Sequence, residues 1–170
     1  MNETQTGIRV ELAREGTANV GTGLPVLDHL IGELATTARF KLSLEVAPES
    51  ADEAVAAAGR ALGSALLDRI AANAGHGWAQ MPSAEALASA SLDRDDEPRL
   101  VTNVDFSDQR VGGLATDVAA RFLEALAVAA GLNLHVRLVE GTDPQHVLSA
   151  IFKAVGAALG QACRPAPPDA

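Results

Sequence analysis

The sequence predicts an α+β fold built from two similar halves, and three observations predict it. Strand-like alternation and helix-like periodicity succeed one another along the chain, the second half can be laid on the first, and no linker interrupts them. Each half reads strand, strand, helix, strand, helix, which implies helices packed between two mainly antiparallel sheets. One domain over residues 1–162 is expected, with halves at about 7–73 and 86–162 and a disordered, Pro-rich tail at 163–170.

The elements follow in order. Gly7 to Ala13 alternates Ile8, Val10 and Leu12 against Arg9 and Glu11, and Glu15 to Thr22 reads as its hairpin partner. Gly21 to Pro25 is a turn into a helix over Val26 to Ala38, where Val26, Leu27, Leu30, Ile31 and Leu34 form an apolar stripe. Phe40 to Val46 alternates strictly, Pro48 ends that strand, and Ser50 caps an Ala-rich helix reaching about Asn73. Gly75 to Pro82 reads as a loop, followed by strands at Ala86 to Asp93 and Arg99 to Phe106. A helix over Leu114 to Ala130 stops at Gly131, Leu132 to Val139 is a strand, and Pro144 to Ala162 is the last helix.

The repeat is visible in residues as well as in element order. Val26 to Leu34 overlays Val118 to Leu126, and Phe40 to Val46 overlays Leu132 to Leu138. After a short insertion in the second half, Gly59 to Gly63 overlays Gly156 to Gly160.

Composition excludes several function classes. Thirteen Lys and Arg against 22 Asp and Glu give a net charge of -9, so no long-range field draws the chain to nucleic acid or to an anionic membrane. Aromatic residues make up 3% with no Tyr, which leaves few stacking platforms. The single cysteine, Cys163, excludes a disulfide scaffold, and the absence of a signal-like start or a long apolar run points to the cytoplasm. Any anionic ligand therefore needs a locally basic pocket.

Three of the four histidines stand where chemistry is plausible. His29 follows Asp28 in the first helix, His135 sits on the less apolar face of its strand, and His146 opens the last helix two turns before Lys153. Other signals are weaker. Gly21 and Gly23 precede a helix, but the chain does not continue as the parallel sheet of a dinucleotide fold. The acidic run from Asp93 to Glu97 lacks a calcium-loop pattern and reads as a solvated connection between strands.

Four segments then carry a resemblance: Gly23 through Asp28-His29, Pro82 through Glu85, Leu134-His135-Val136, and above all Gly141 through Gln145-His146 to Lys153. In order and spacing they resemble imidazoleglycerol-phosphate dehydratase of histidine biosynthesis over nearly the whole chain. The resemblance implies a duplicated fold of the ribosomal S5 domain 2-like kind, a homo-oligomer, and sites built between subunits around two manganese ions. It implies removal of water from a small phosphorylated imidazole, with metal charge stabilising the ring as an anion.

By the same resemblance His29, His135 and His146 are metal ligands, with Glu49 and Asp52 as further candidates, and Lys153 and Glu85 bind substrate. No catalytic acid or base is assigned. The family uses a His-His-x-x-Glu motif in each half, whereas here Gln145 and Ser149 replace the first His and the Glu of the second motif. The first motif falls on Pro48, Glu49 and Asp52. Gln5, Ala74, Gly75 and Glu97 replace other expected site residues, Glu97 standing where an Arg would contact phosphate. The resulting expectation is a family member whose eroded metal and phosphate site lowers or abolishes the dehydration, the alternative being an active hydro-lyase. Few large core side chains further suggest an assembly of at least three copies.

Overall fold

The computed structural model describes residues 6–47, 50–106, 110–111 and 114–168. Two sheets face each other across four helices. The first sheet has β1 (Thr6–Leu12), β2 (Thr17–Gly21) and β3 (Phe40–Val46) in the order β1-β3-β2, with β1 antiparallel and β2 parallel to the central strand. The second contains β4 (His76–Ser83), β5 (Ala86–Arg94), β6 (Arg99–Thr102) and β9 (Leu132–Glu140) in the order β4-β5-β9-β6. There β5 is antiparallel and β6 parallel to β9, repeating the pattern around β3. A ribbon of β7 (Arg110–Val111) and β8 (Leu114–Ala115) completes the strands.

Both sheets are therefore mixed: the second is mainly antiparallel, as expected, whereas the first has one antiparallel and one parallel pair. Helix α1 (Pro25–Ala38) connects β2 to β3, and α3 (Thr116–Ala130) lies between β6 and β9 in sequence; each parallel pair requires such a crossover. The other two helices, α2 (Ala51–Ala72) and α4 (Pro144–Ala162), end the two halves.

The expected hairpin of β1 and β2 does not form. Strand β3 lies between them, and the connecting segment runs so close to the end of α1 that a Cβ at Gly16 would meet Ala35 O at 2.4 Å. The expected loop over Gly75 to Pro82 is instead edge strand β4. Its inward face is Gly77 and Ala79 because α4 lies directly on it: a Cβ at Gly77 would sit 2.1 Å from Ala158 O. Pro82 is tolerated because an edge strand has one unpaired side. The strand expected from Arg99 to Phe106 stops at Thr102, and α3 starts at Thr116, whose hydroxyl donates to Phe106 O.

Other boundaries follow the residues closely. Ser50 accepts from Glu53 N at the start of α2, Asp143 accepts from Gln145 N at 2.9 Å at the start of α4, and Gly131 adopts the left-handed conformation that ends α3. In β3, Phe40, Leu42, Leu44 and Val46 are buried while Lys41, Ser43 and Glu45 face solvent.

The helices pack in crossed pairs, α2 on α3 and α1 on α4. Glycines permit both contacts. A Cβ at Gly59 would lie 2.7 Å from Phe122 O, and one at Gly156 only 2.2 Å from Leu34 O. Between the helices Phe122 and Phe152 stack with centroids 5.6 Å apart, and a continuous Ala, Leu and Val core surrounds them.

The segment expected to be a disordered tail begins with two anchored residues. Cys163 is fully buried, and the Arg164 guanidinium donates to the carbonyls of Ala13, Ala38, Arg39 and Gly160. Among the described residues no helix is long and apolar enough to cross a membrane.

Candidate functional site

The α1–α4 contact positions most of the site. Pro25 starts α1, and Asp28 is turned back on the preceding turn, accepting from Thr22 N at 2.9 Å and from the Thr22 hydroxyl. That bond fixes the helix entry and leaves the next residue, His29, outward. One turn later Glu33 lies on the same face, with its Oε1 3.1 Å from His29 Nε2. The His29 side chain is 72% exposed and that of Glu33 only 18%.

Helix α4 brings its N-terminal half against this face. Ser149 Oγ donates to Glu33 Oε2 at 2.7 Å, and Lys153 Nζ stands 3.8 Å from the same oxygen. Thr37 Oγ1 donates to Lys153 O at 2.8 Å, tying the helices together beneath the site. His146 Nδ1 contacts Glu85 Oε1, and Glu85 Oε2 accepts from Asp143 N at 3.4 Å. The hydrogen bond from His146 holds the Glu85 carboxyl below the usual carboxylate range. Glu85 is delivered by the tight turn between β4 and β5, where Ala84 takes a left-handed φ of 50°.

A cavity of about 460 Å³ opens over these residues, lined by His29, Glu33, Ser83, Gln145, His146 and Ser149 with an apolar wall of Pro25, Val26 and Leu30. A second hollow of about 350 Å³ lies across the His29–Glu33 ridge and reaches Lys153. The pair is thus large enough for a small phosphorylated ring.

The structure brings His29, His146, Glu85 and Lys153 together. It places His135 elsewhere: that side chain is on the outer face of the second sheet, in a cross-strand row of Trp78, Ser91, His135 and Val101. Asp52 is also apart, paired with Arg121 at the α2–α3 contact, where Arg121 also reaches Asp117 at 3.6 Å. By the internal overlay Arg121 corresponds to His29 and Asp52 to Ser149. Gln5 and Glu49 lie outside the described residues. Glu97 is in the exposed β5–β6 connection and engages Arg99.

Glu33 was not anticipated from the sequence, although its position four residues after His29 on a polar helix face was a usable signal. Imidazole and carboxylate donors are the types manganese takes, so the α1–α4 site fits such an ion in donor chemistry. The α2–α3 site does not, because its carboxylate is occupied by a guanidinium. Among the described residues no three His, Cys, Asp or Glu side chains come close enough to enclose an ion.

Comparisons with known proteins agree on one family. The family model described as imidazoleglycerol-phosphate dehydratase matches residues 22–159. The imidazoleglycerol-phosphate dehydratase of Pelobacter propionicus is 34% identical over 170 residues, covering 96% of this chain and 87% of its own. That of Desulfitobacterium hafniense is 36% identical over 174 residues, covering 97% and 87%. The crystal structure of the Staphylococcus aureus enzyme superposes with a TM-score of 0.85 at 27% identity, covering 95% of both chains. That of the Pyrococcus furiosus enzyme, solved with (S)-C348, gives 0.83 at 24% identity over 98% of this chain and 93% of its own, a likeness of fold.

Proposed function

The chain belongs to the imidazoleglycerol-phosphate dehydratase family, and on that premise we propose that it is a carbon–oxygen hydro-lyase of histidine biosynthesis, removing water from imidazoleglycerol phosphate to give imidazoleacetol phosphate. The observation that carries this reading is the meeting of His29, Glu33, His146 and Lys153 around one pair of cavities. Manganese, when bound, supplies positive charge to a developing anion. His146 keeps Nε2 available because Glu85 engages Nδ1. That contact fixes the ring as a carboxylate fixes the imidazole of many metal sites. Lys153 provides the positive charge next to the cavity that a phosphate requires.

His135 reaches such a site only from another copy. The exposed Trp78 and Val101 beside it give that face the apolar surface a self-association needs, which supports a homo-oligomer with sites shared between subunits. We place the protein in the cytoplasm, as one domain over residues 1–162, with no nucleic acid or membrane partner. A stable monomer in light scattering at micromolar concentration would overturn the assembly. Purified protein given manganese and imidazoleglycerol phosphate should yield imidazoleacetol phosphate. No product with manganese in excess would overturn the activity.

A second reading, a family member whose eroded metal and phosphate site lowers or abolishes the dehydration, is favoured by specific substitutions. Gln145 and Ser149 supply neither imidazole nor carboxylate, and Glu97 brings negative charge where a phosphate contact is expected. Arginines expected to contact phosphate are replaced at Ala74 and Gly75 and at Glu97; each lost charge-assisted contact costs about 1.5 to 3 kcal/mol, so two lower affinity by roughly two to four powers of ten. A raised KM with manganese saturating would distinguish this reading from full activity.

A further inference from the structure

We propose that Glu33 is a metal ligand of this protein, paired with His29 on one divalent cation of the manganese class, and that it supplies the carboxylate Ser149 no longer carries. The inference deepens the proposed dehydratase reading and rests on it for the identity of the cation.

Three features of the structure point the same way. First, Glu33 Oε1 is buried and accepts no hydrogen bond among the described residues, although His29 Nε2 is 3.1 Å away. That separation without hydrogen-bond geometry is the distance between two neighbouring ligands of one octahedral ion: bonds of about 2.1 Å at right angles put their donor atoms about 3 Å apart. Secondly, the other oxygen is held. Ser149 donates to Oε2 at 2.7 Å and Lys153 stands beside it, so the carboxylate is oriented with Oε1 toward the imidazole. Thirdly, both ligands stand four residues apart on one helix, so the pair is set by backbone already packed against α4.

The substitution at position 149 is thereby explained. A serine is short enough to admit the Glu33 carboxylate from the facing helix and polar enough to fix it. The carboxylate that the family resemblance puts at 149 on α4 is supplied here from α1, and Ser149 acts as its support. In the α2–α3 contact the corresponding places are filled by Arg121 and Asp52, which satisfy each other. The structure thus supports one ion-binding pair per chain at the α1–α4 contact and, among the described residues, none at α2–α3.

Manganese binding to the full chain, followed by the electron paramagnetic resonance signal of free Mn(II) and by calorimetry, tests this. Glu33→Gln should weaken binding by at least about tenfold, and Ser149→Ala by about tenfold through loss of orientation. Asp52→Asn should leave it unchanged. Ser149→Glu added to Glu33→Gln should restore binding, and circular dichroism reports whether each variant is folded. Wild-type affinity in folded Glu33→Gln, or no manganese binding by the wild type, would overturn the inference. Manganese binding that depends on Glu33 without turnover of imidazoleglycerol phosphate would sink the dehydratase reading and leave this one standing. Turnover with wild-type manganese affinity in Glu33→Gln would do the reverse.

Discussion

Arg121, on α3, donates to the carboxylate of Asp52 near the start of α2, and these two residues occupy in the α2–α3 contact the places that His29 and Ser149 hold in the α1–α4 contact. Two contacts related by an internal repeat have diverged in chemistry while their helices kept the same packing. One is a self-satisfied ion pair, the other an imidazole and a carboxylate facing a cavity.

The ion pair is half-exposed at both ends, so its contribution to stability is small. Arg121→Ala should lower the unfolding free energy by less than about 1 kcal/mol in urea titration. A loss above about 3 kcal/mol would mean that another surface covers the pair.

The glycine contacts between helices are a different matter. Gly156→Ala places a methyl group against the Leu34 carbonyl and should destabilise by about 1 to 3 kcal/mol, with Gly59→Ala affected less. Gly32→Ala in α1, with nothing within 4 Å of the new methyl, should stabilise by about 0.5 to 1 kcal/mol. Thermal unfolding of the three variants side by side checks the ranking.

Burial pushes the Cys163 thiol up to about 11 from an ordinary 9.0. The folded protein should therefore resist thiol reagents at pH 8 and react only as it unfolds, which a chromogenic disulfide with and without urea measures. The unfolded chain loses this proton first, near pH 9.0, so stability should fall as pH rises from there toward 11.

Glu85 acts through His146. Glu85→Gln keeps the size of the side chain but removes the charge that fixes the ring, and should lower kcat/KM for imidazoleglycerol phosphate by about ten- to a hundredfold. Unchanged kinetics would show that the contact does nothing for the reaction.

Much of this was legible in the sequence where local pattern decides the outcome. The strict alternation of Phe40 to Val46 gave that strand with both ends, and Asp143-Pro144 marked the start of α4. Strand β4 was hidden because its core-facing residues are Gly77 and Ala79, chosen for closeness to α4 rather than for hydrophobicity. The order β1-β3-β2 was hidden because pairing across a helix crossover leaves no trace in either strand alone. In the site, His29, His135, His146, Glu85 and Lys153 were read together and the fold sets His135 apart, whereas Glu33, legible only as a polar neighbour of His29 by its spacing, gains a partner once α4 lies across it. Asp28, the acidic neighbour of His29, closes the helix entry by accepting from Thr22.

The close helix crossings at Gly59 and Gly156 have a broader consequence. Backbone touches backbone there, two turns beyond Asp52 and Ser149, so registry between the halves does not depend on what the helix beginnings carry. Chemistry at those beginnings is free to drift, exchange sides or fall silent while the architecture that displays it stands unaltered.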